Sequence, residues 1–203
     1  MGALRQIFGP SKEEIWQQLS SEIGADYVKG GFWKGGKVVA RVKEWTITLD
    51  THTVSTGKSS TTYTRLRAPY VNSDGFRFTI YRKGLFSELG KLLGMQDIQV
   101  GQPQLDRDFI IKSNNVTKIR SLLANPKICQ LIEAQPSFYL TVKDDEGWFG
   151  ESFPKGVDEL CFQVVGVIKD VARLKALYEL FAEILNYLCH LGSAYEDDPH
   201  LVL

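Results

Sequence analysis

The sequence predicts an α+β fold: a curved antiparallel sheet packed by helices on one side, with a long C-terminal helix. Two observations favour this class. Short segments in which apolar and polar residues alternate, the pattern of a half-buried strand, recur along the chain, and residues 170–191 carry apolar side chains at helical spacing. Strands and helices that each have one apolar side must bury those sides against one another, which gives a sheet layer covered by helices.

The composition is that of an ordinary globular protein. With 203 residues and a hydrophobic share of 43%, the chain can bury a sizeable core, and we expect a single domain over residues 1–203. The largest composition break, near residues 101–104, marks where two subdomains would divide. Lysine plus arginine equal aspartate plus glutamate, at 24 each, which argues against a dedicated nucleic-acid binder.

Cysteine usage and hydropathy bear on the compartment. The three cysteines form no Cys-x-x-Cys pair, so we expect neither a disulfide framework nor a structural zinc site, and a reducing compartment fits better. The first residues lack a signal-peptide core, and no run of 18 apolar residues occurs. We therefore expect a cytoplasmic protein without an integral membrane segment.

The segment Trp45–Pro69 predicts a β-hairpin with a defined register. Gly57-Lys58 suits a two-residue turn that needs a positive φ at its first position. The resulting pairs place apolar side chains together on one side and polar ones on the other, and a slip of one residue would exchange the two sides. The predicted pairs are Thr56 with Ser59, Thr53 with Thr62, His52 with Tyr63, Thr51 with Thr64, Asp50 with Arg65, Leu49 with Leu66, and Thr48 with Arg67.

The remaining elements follow from the same patterns. A first helix begins after Ser11, where Glu14 completes a capping box, and ends at Gly24. The final helix ends at Gly192, and residues 196–199 are expected to be a solvated tail. The other predicted elements are strands within 26–33, 37–42, 76–81, 109–111, 138–143 and 160–164, helices within 85–93, 116–123 and 126–132, an extended segment at 97–101, and a turn at Asp106–Asp108.

The polar side of the hairpin is the main candidate site. It gathers Asp50, His52, Tyr63, Arg65 and Arg67, which together suit an anionic ligand. Under a catalytic alternative, His52 is the general base because histidine titrates near neutral pH, Asp50 orients it, and the two arginines hold the anion. The non-functional interpretation of the same residues is a solvated sheet surface without a binding role.

Other candidate sites are few. The acidic turn at residues 144–150 carries Trp148 and Phe149, which could form a docking tip for another protein or could fold back into the core. The three histidines, at 52, 190 and 200, are far apart and form no metal-binding spacing, so we expect no metal and no cofactor.

A longer pattern resembles a known group of proteins. Asp106 to Phe109 forms an Asp-x-x-Phe strand entry, Ser113-Asn114 follows the strand, and Leu122-Leu123-Ala124-Asn125-Pro126 ends a helix before two strands and a long closing helix. In these features, between about residues 16 and 192, the chain resembles a bacterial family of uncharacterised domains, some of which occur on membrane-anchored chains. Leu105 stands where an aromatic residue is more usual. The resemblance implies a non-enzymatic module and no particular cofactor or catalytic residue.

These observations predict a binding or protein-interaction module without catalytic activity in a bacterial cytoplasm, acting on a protein partner or as a homodimer. The wide apolar stripe of the final helix is a candidate dimer surface. One alternative is a hydrolase or transferase that acts on a small anionic substrate at the polar side of the hairpin. A second alternative is a carrier that holds an apolar ligand between the sheet and the final helix.

Overall fold

A computed structural model of the chain describes residues 9–31, 35–84, 97–144 and 153–197, together with residues 199, 201 and 203. These residues form an open sheet of nine strands and five helices, which confirms the predicted α+β class. The strand order is β1-β2-β3-β4-β8-β7-β5-β6, with the short β9 beside β4, and all strand pairings are antiparallel. The strands are β1 (Asp26–Val28), β2 (Lys37–Val42), β3 (Trp45–Thr56), β4 (Ser59–Asn72), β5 (Phe78–Arg82), β6 (Phe109–Ser113), β7 (Tyr139–Lys143), β8 (Val157–Val165) and β9 (Ala194–Tyr195).

The helices begin and end at residues that satisfy their free backbone groups. Ser11 and Glu14 form the predicted capping box on the first helix, and Gly24 ends it in the left-handed conformation, with φ of 66°. Asn115 and Asn125 cap the next two long helices through their side-chain oxygens. The helices are α1 (Lys12–Ile23), α2 (Pro103–Asp108), α3 (Val116–Leu123), α4 (Pro126–Glu133) and α5 (Val171–His190).

The core lies between the helices and one side of the sheet. The closing helix α5 buries its apolar stripe there, so this stripe is used within the chain and is not available as a dimer surface. Large side chains pack between the sheet and α5, the region where the carrier hypothesis places its ligand. The largest fully buried aromatic residues are Trp16, Tyr70, Phe78, Phe109, Phe138, Phe162 and Phe181.

Three local expectations differ from the structure. The strand after Asp26 ends at Val28. Residues 103–108 form the helix α2 instead of a turn, because Pro103 suits a first helical turn and the Asp106 carboxylate accepts hydrogen bonds from the backbone N–H groups of Val100 and Gly101. Ala194 and Tyr195 form β9, a strand that was not predicted, while Glu196 and Asp197 of the predicted solvated tail are exposed. The predicted helix within 85–93 lies outside the described residues.

Within the described ranges, each helix is too short or too polar to cross a lipid bilayer.

The cap of α5 gives a stability prediction. The Asp170 carboxylate accepts a hydrogen bond from the Arg173 backbone N–H at 3.1 Å. We expect Asp170→Ala to lower the free energy of unfolding by about 1 kcal/mol, because one N–H group of the first turn loses its partner. Urea denaturation followed by circular dichroism measures the change. Lys169→Ala, one residue outside the cap, is the control, and equal midpoints for the two variants would contradict the prediction.

Candidate functional site

The hairpin of β3 and β4 has the predicted register at every pair. Asp50 lies opposite Arg65, His52 opposite Tyr63, and Thr48 opposite Arg67. Leu49 and Leu66, which lie between these polar residues, are fully buried in the core. The alternation of a strand therefore sends the polar residues to the side of the sheet that faces away from the helices.

We call this side the open face. It continues from the hairpin onto the neighbouring strands, because residues paired across antiparallel strands share one side of the sheet. Pairing places Cys161 beside Arg67, Gln163 beside Arg65, and Thr141 beside Cys161. The open face also includes Asp26 on β1, Lys37 and Arg41 on β2, Thr46 on β3, Pro69 on β4, Lys112 on β6, Lys143 on β7 and Glu159 on β8.

Asp50 is the centre of an ion-pair network on the open face. Its carboxylate accepts hydrogen bonds from Arg65 Nε at 2.8 Å and Arg65 Nη2 at 2.9 Å, a two-point contact, and from Arg67 Nη2 at 2.6 Å. The side chains of Asp50 and Arg65 are each only 15% exposed. Such charge-assisted contacts orient both guanidinium groups.

Glu159 extends this network. Its carboxylate is fully buried and lies 3.7 Å from Arg67 Nη1 and 3.2 Å from Lys143 Nζ. Sequence analysis missed Glu159 because it placed the start of the strand at Leu160, whereas β8 begins at Val157. The alternation of the strand, carried back one residue from Leu160, would have assigned Glu159 to the same side as Cys161.

Burial and charge act in opposite directions on Asp50. Burial alone would raise its pKa, but the hydrogen bonds and positive charges of Arg65 and Arg67 outweigh this effect and hold the pKa below its ordinary value. For the neighbouring Cys161, the nearby Lys143, Gln163 and Arg65 lower the pKa less than burial raises it. Burial, with the charge of Glu159 adding to it, raises the pKa of the Cys161 thiol to about 12. At neutral pH the Cys161 thiol is therefore protonated, and a protonated thiol does not act as a nucleophile.

The residues of the catalytic alternative lie on one side of the hairpin, and that alternative stays a prediction. Both oxygens of Asp50, which would orient His52 in it, accept hydrogen bonds from arginine N–H groups. His52 lies on the exposed part of the hairpin beside Tyr63. Among the described residues, no three His, Cys, Asp or Glu side chains cluster as a metal site would require. Trp148 and Phe149 lie outside the described residues.

The open face carries more positive than negative side chains, although the whole chain has no net charge. The basic residues at its described strand positions are Lys37, Arg41, Arg65, Arg67, Lys112 and Lys143. The acidic ones are Asp26, Asp50 and Glu159. Asp97 adds a fourth at the sheet edge, where its backbone forms an isolated β-bridge with Lys112. The surplus favours binding of negatively charged groups.

Comparisons with known proteins give one similar structure. No protein-family model and no curated protein matches the chain. The crystal structure of the mycobacterial trehalose monomycolate transport factor A, TtfA, is similar to it, with a TM-score of 0.52 and 11% sequence identity, over 87% of this chain and 94% of the TtfA chain. At this identity the likeness shows a shared fold. The resemblance to a bacterial family of uncharacterised domains stays a prediction.

The Asp50 network gives a second stability prediction. Asp50→Asn is expected to lower the free energy of unfolding by about 3 kcal/mol, because removing one partner of a buried ion pair leaves the other charges desolvated without compensation. Urea denaturation at pH 7 measures the loss. Asp26→Asn, which changes an exposed carboxylate of the same face, is the matched control and is expected to stay within about 0.5 kcal/mol of the unsubstituted protein. A similar small effect for Asp50→Asn would contradict the role of the network.

The unsubstituted protein and Asp50→Asn also give a prediction for the dependence of stability on pH. A carboxyl group with a pKa lower in the folded than in the unfolded chain stabilises the fold above its unfolded pKa, and this contribution is lost as the pH falls through the folded pKa. The pKa of Asp50 is lowered. The stability difference between the unsubstituted protein and Asp50→Asn should therefore be constant near neutral pH and shrink below about pH 4. A difference that stays constant down to pH 2 would contradict the assignment.

Proposed function

We propose that the protein is a non-catalytic binding module that holds an acidic segment of a partner protein on the open face of its sheet. The observation that carries the proposal is the surplus of basic side chains on this face in a chain whose total charge is balanced. A balanced chain has little long-range attraction for nucleic acids or membranes, so a local basic surface favours a partner of limited size.

The ion-pair network supports the same function. Burying charged groups costs free energy, and Arg67 and Glu159 are buried on this face, with side chains 6% and 0% exposed. Arg65 and Arg67 are each held by Asp50, and Glu159 holds Arg67 and Lys143. Side chains fixed in this way lose little freedom when a ligand binds, which favours affinity. Tyr63, predicted as a ligand-binding residue, lies beside this network.

The fold comparison is compatible with a role that involves no chemistry. TtfA is, by its title, a transport factor for trehalose monomycolate. By analogy of fold, we extend the proposal to a supporting role in a transport process. We include a bacterial cytoplasm as the location in the same proposal, supported by the free thiols of Cys129, Cys161 and Cys189.

Binding to a defined acidic polymer tests the proposal. We expect immobilised poly-L-glutamate to bind the protein in a salt-dependent manner and to lose up to about tenfold in affinity in the double variant Lys112→Gln, Lys143→Gln, because two cations of the open face are removed. Biolayer interferometry at low and physiological salt measures this. The matched control is Lys127→Gln, Lys175→Gln, which removes two half-exposed lysines from the helices.

Two further results bear on the choice of partner and on catalysis. Equal affinities of the two double variants for poly-L-glutamate would refute the open face as the binding surface. Binding to anionic lipid vesicles in place of poly-L-glutamate would refute a protein partner. His52→Ala is expected to leave the affinity unchanged, and a loss as large as that of the lysine variant would return His52 to the site.

A further inference from the structure

The far end of the β3–β4 hairpin extends beyond the strands on either side of it. Strand β2 pairs with β3 only as far as Leu49, and β8 pairs with β4 only from Thr64 onward. The hairpin itself stays paired up to Thr56 and Ser59. We call residues 52–63 the hairpin arm. Residues 52–55 are all exposed, so both sides of the arm face solvent.

The outer edge of β3 is unpaired along part of the arm. In a hairpin with a two-residue turn, the backbone groups of Thr56 bond to the opposite strand, so those of Thr53 and Ser55 point away from it. The Gly166 N–H group, which donates to the outward main-chain oxygen of Thr62, shows the same alternation on β4. Among the described residues, none pairs with β3 beyond Leu49.

The backbone near Gly35 limits how much of this edge is accessible. A Cβ atom on Gly35 would lie 3.2 Å from Thr51 Oγ1, so the chain approaches β3 as far as Thr51. Thr53, Val54 and Ser55 lie beyond this approach. We call these three residues the free edge.

The chemistry of the arm is self-complementary. Lys58 is the only charged residue between positions 51 and 64, although charged residues make up 24% of the chain. The hydroxyl oxygens of Thr53 and Thr62 are 2.9 Å apart, as are those of Ser55 and Ser60. A hydroxyl group both donates and accepts hydrogen bonds, and so does a strand edge, whereas a surface of lysines or carboxylates repels its own copy. Charge depletion is also typical of the centre of a protein interface.

We propose that two copies of this chain join through their free edges, antiparallel and about a two-fold axis, so that the sheet of one copy continues into the sheet of the other. A two-fold pairing that uses both outward residues places Thr53 opposite Ser55 of the second copy. Val54 then lies opposite Val54 of the second copy, in the closely spaced type of antiparallel pair. Val54 is 41% exposed in the single chain, and this contact covers it.

The size of the contact sets its strength. A paired stretch of about five residues is about 17 Å long, which places the dimer among the small, transient interfaces. The arm gains stability from it, because a two-stranded ribbon is marginal in water and four strands are not. The inference goes beyond the proposed function and does not rest on it, since the free edge contains none of the basic residues of the open face.

Sedimentation equilibrium of the full-length protein tests the inference, over a concentration range of about 10 to 500 µM that suits a weak dimer. We expect the average mass to rise from 22.9 kDa toward twice that value. Val54→Lys and Val54→Glu are each expected to weaken association at least about tenfold, because like charges then meet at the axis. An equimolar mixture of the two variants is expected to associate again. Val116→Lys is the matched control, because Val116 is 44% exposed on α3, and it is expected to associate like the unsubstituted protein.

Amide hydrogen exchange followed by NMR locates the contact. The N–H groups of Thr53 and Ser55 are expected to exchange more slowly as the concentration rises in the unsubstituted protein, and at an unchanged rate in Val54→Lys. A constant monomer mass, association that Val54→Lys leaves intact, or a mixture of the charged variants that stays monomeric would each overturn the inference. A monomer that still binds poly-L-glutamate through Lys112 and Lys143 would overturn this inference alone and leave the proposed function standing.

Discussion

The pairing register of β3 with β4 is the constraint on which the two sides of this molecule depend. A shift of one residue would move Leu49 and Leu66 out of the core and put Asp50 and Arg65 in their place. The turn at Gly57-Lys58 sets the register locally, since Gly57 has a φ of 60° that other residues rarely adopt. Strands β2 and β8 pair with the two outer edges of the hairpin, so its register determines which of their side chains join the core.

The two sides of the sheet are stabilised by different interactions. The side toward the helices buries aromatic and aliphatic side chains, and α5 supplies the longest apolar surface. The open face instead holds Asp50, Arg65, Arg67, Glu159 and Lys143 in a connected set of ion pairs. Buried ion pairs of this kind add little net stability compared with apolar packing. They do hold the charged groups in fixed positions.

The ion-pair network orients cations near the middle of the open face. Under the proposed function, a partner that carries negative charge is attracted by this face as a whole. The fold shared with TtfA shows that such a sheet and helix arrangement is found in a protein described as a transport factor.

Sequence alone determined the features that depend on local periodicity and on turn or cap chemistry. The hairpin register, the Asp50–Arg65 pair, the capping box at Ser11 and the extent of the closing helix are of this kind, because each follows from residues close together in the chain. Tertiary structure decided which distant segments meet. Glu159 and Lys143 join the Asp50 network only because β8 pairs with both β4 and β7, and the main-chain oxygen of Leu203 accepts a hydrogen bond from the distant Lys37. Contacts between residues more than ninety positions apart leave no periodic signal in a single sequence, since they depend on the strand order of the whole sheet.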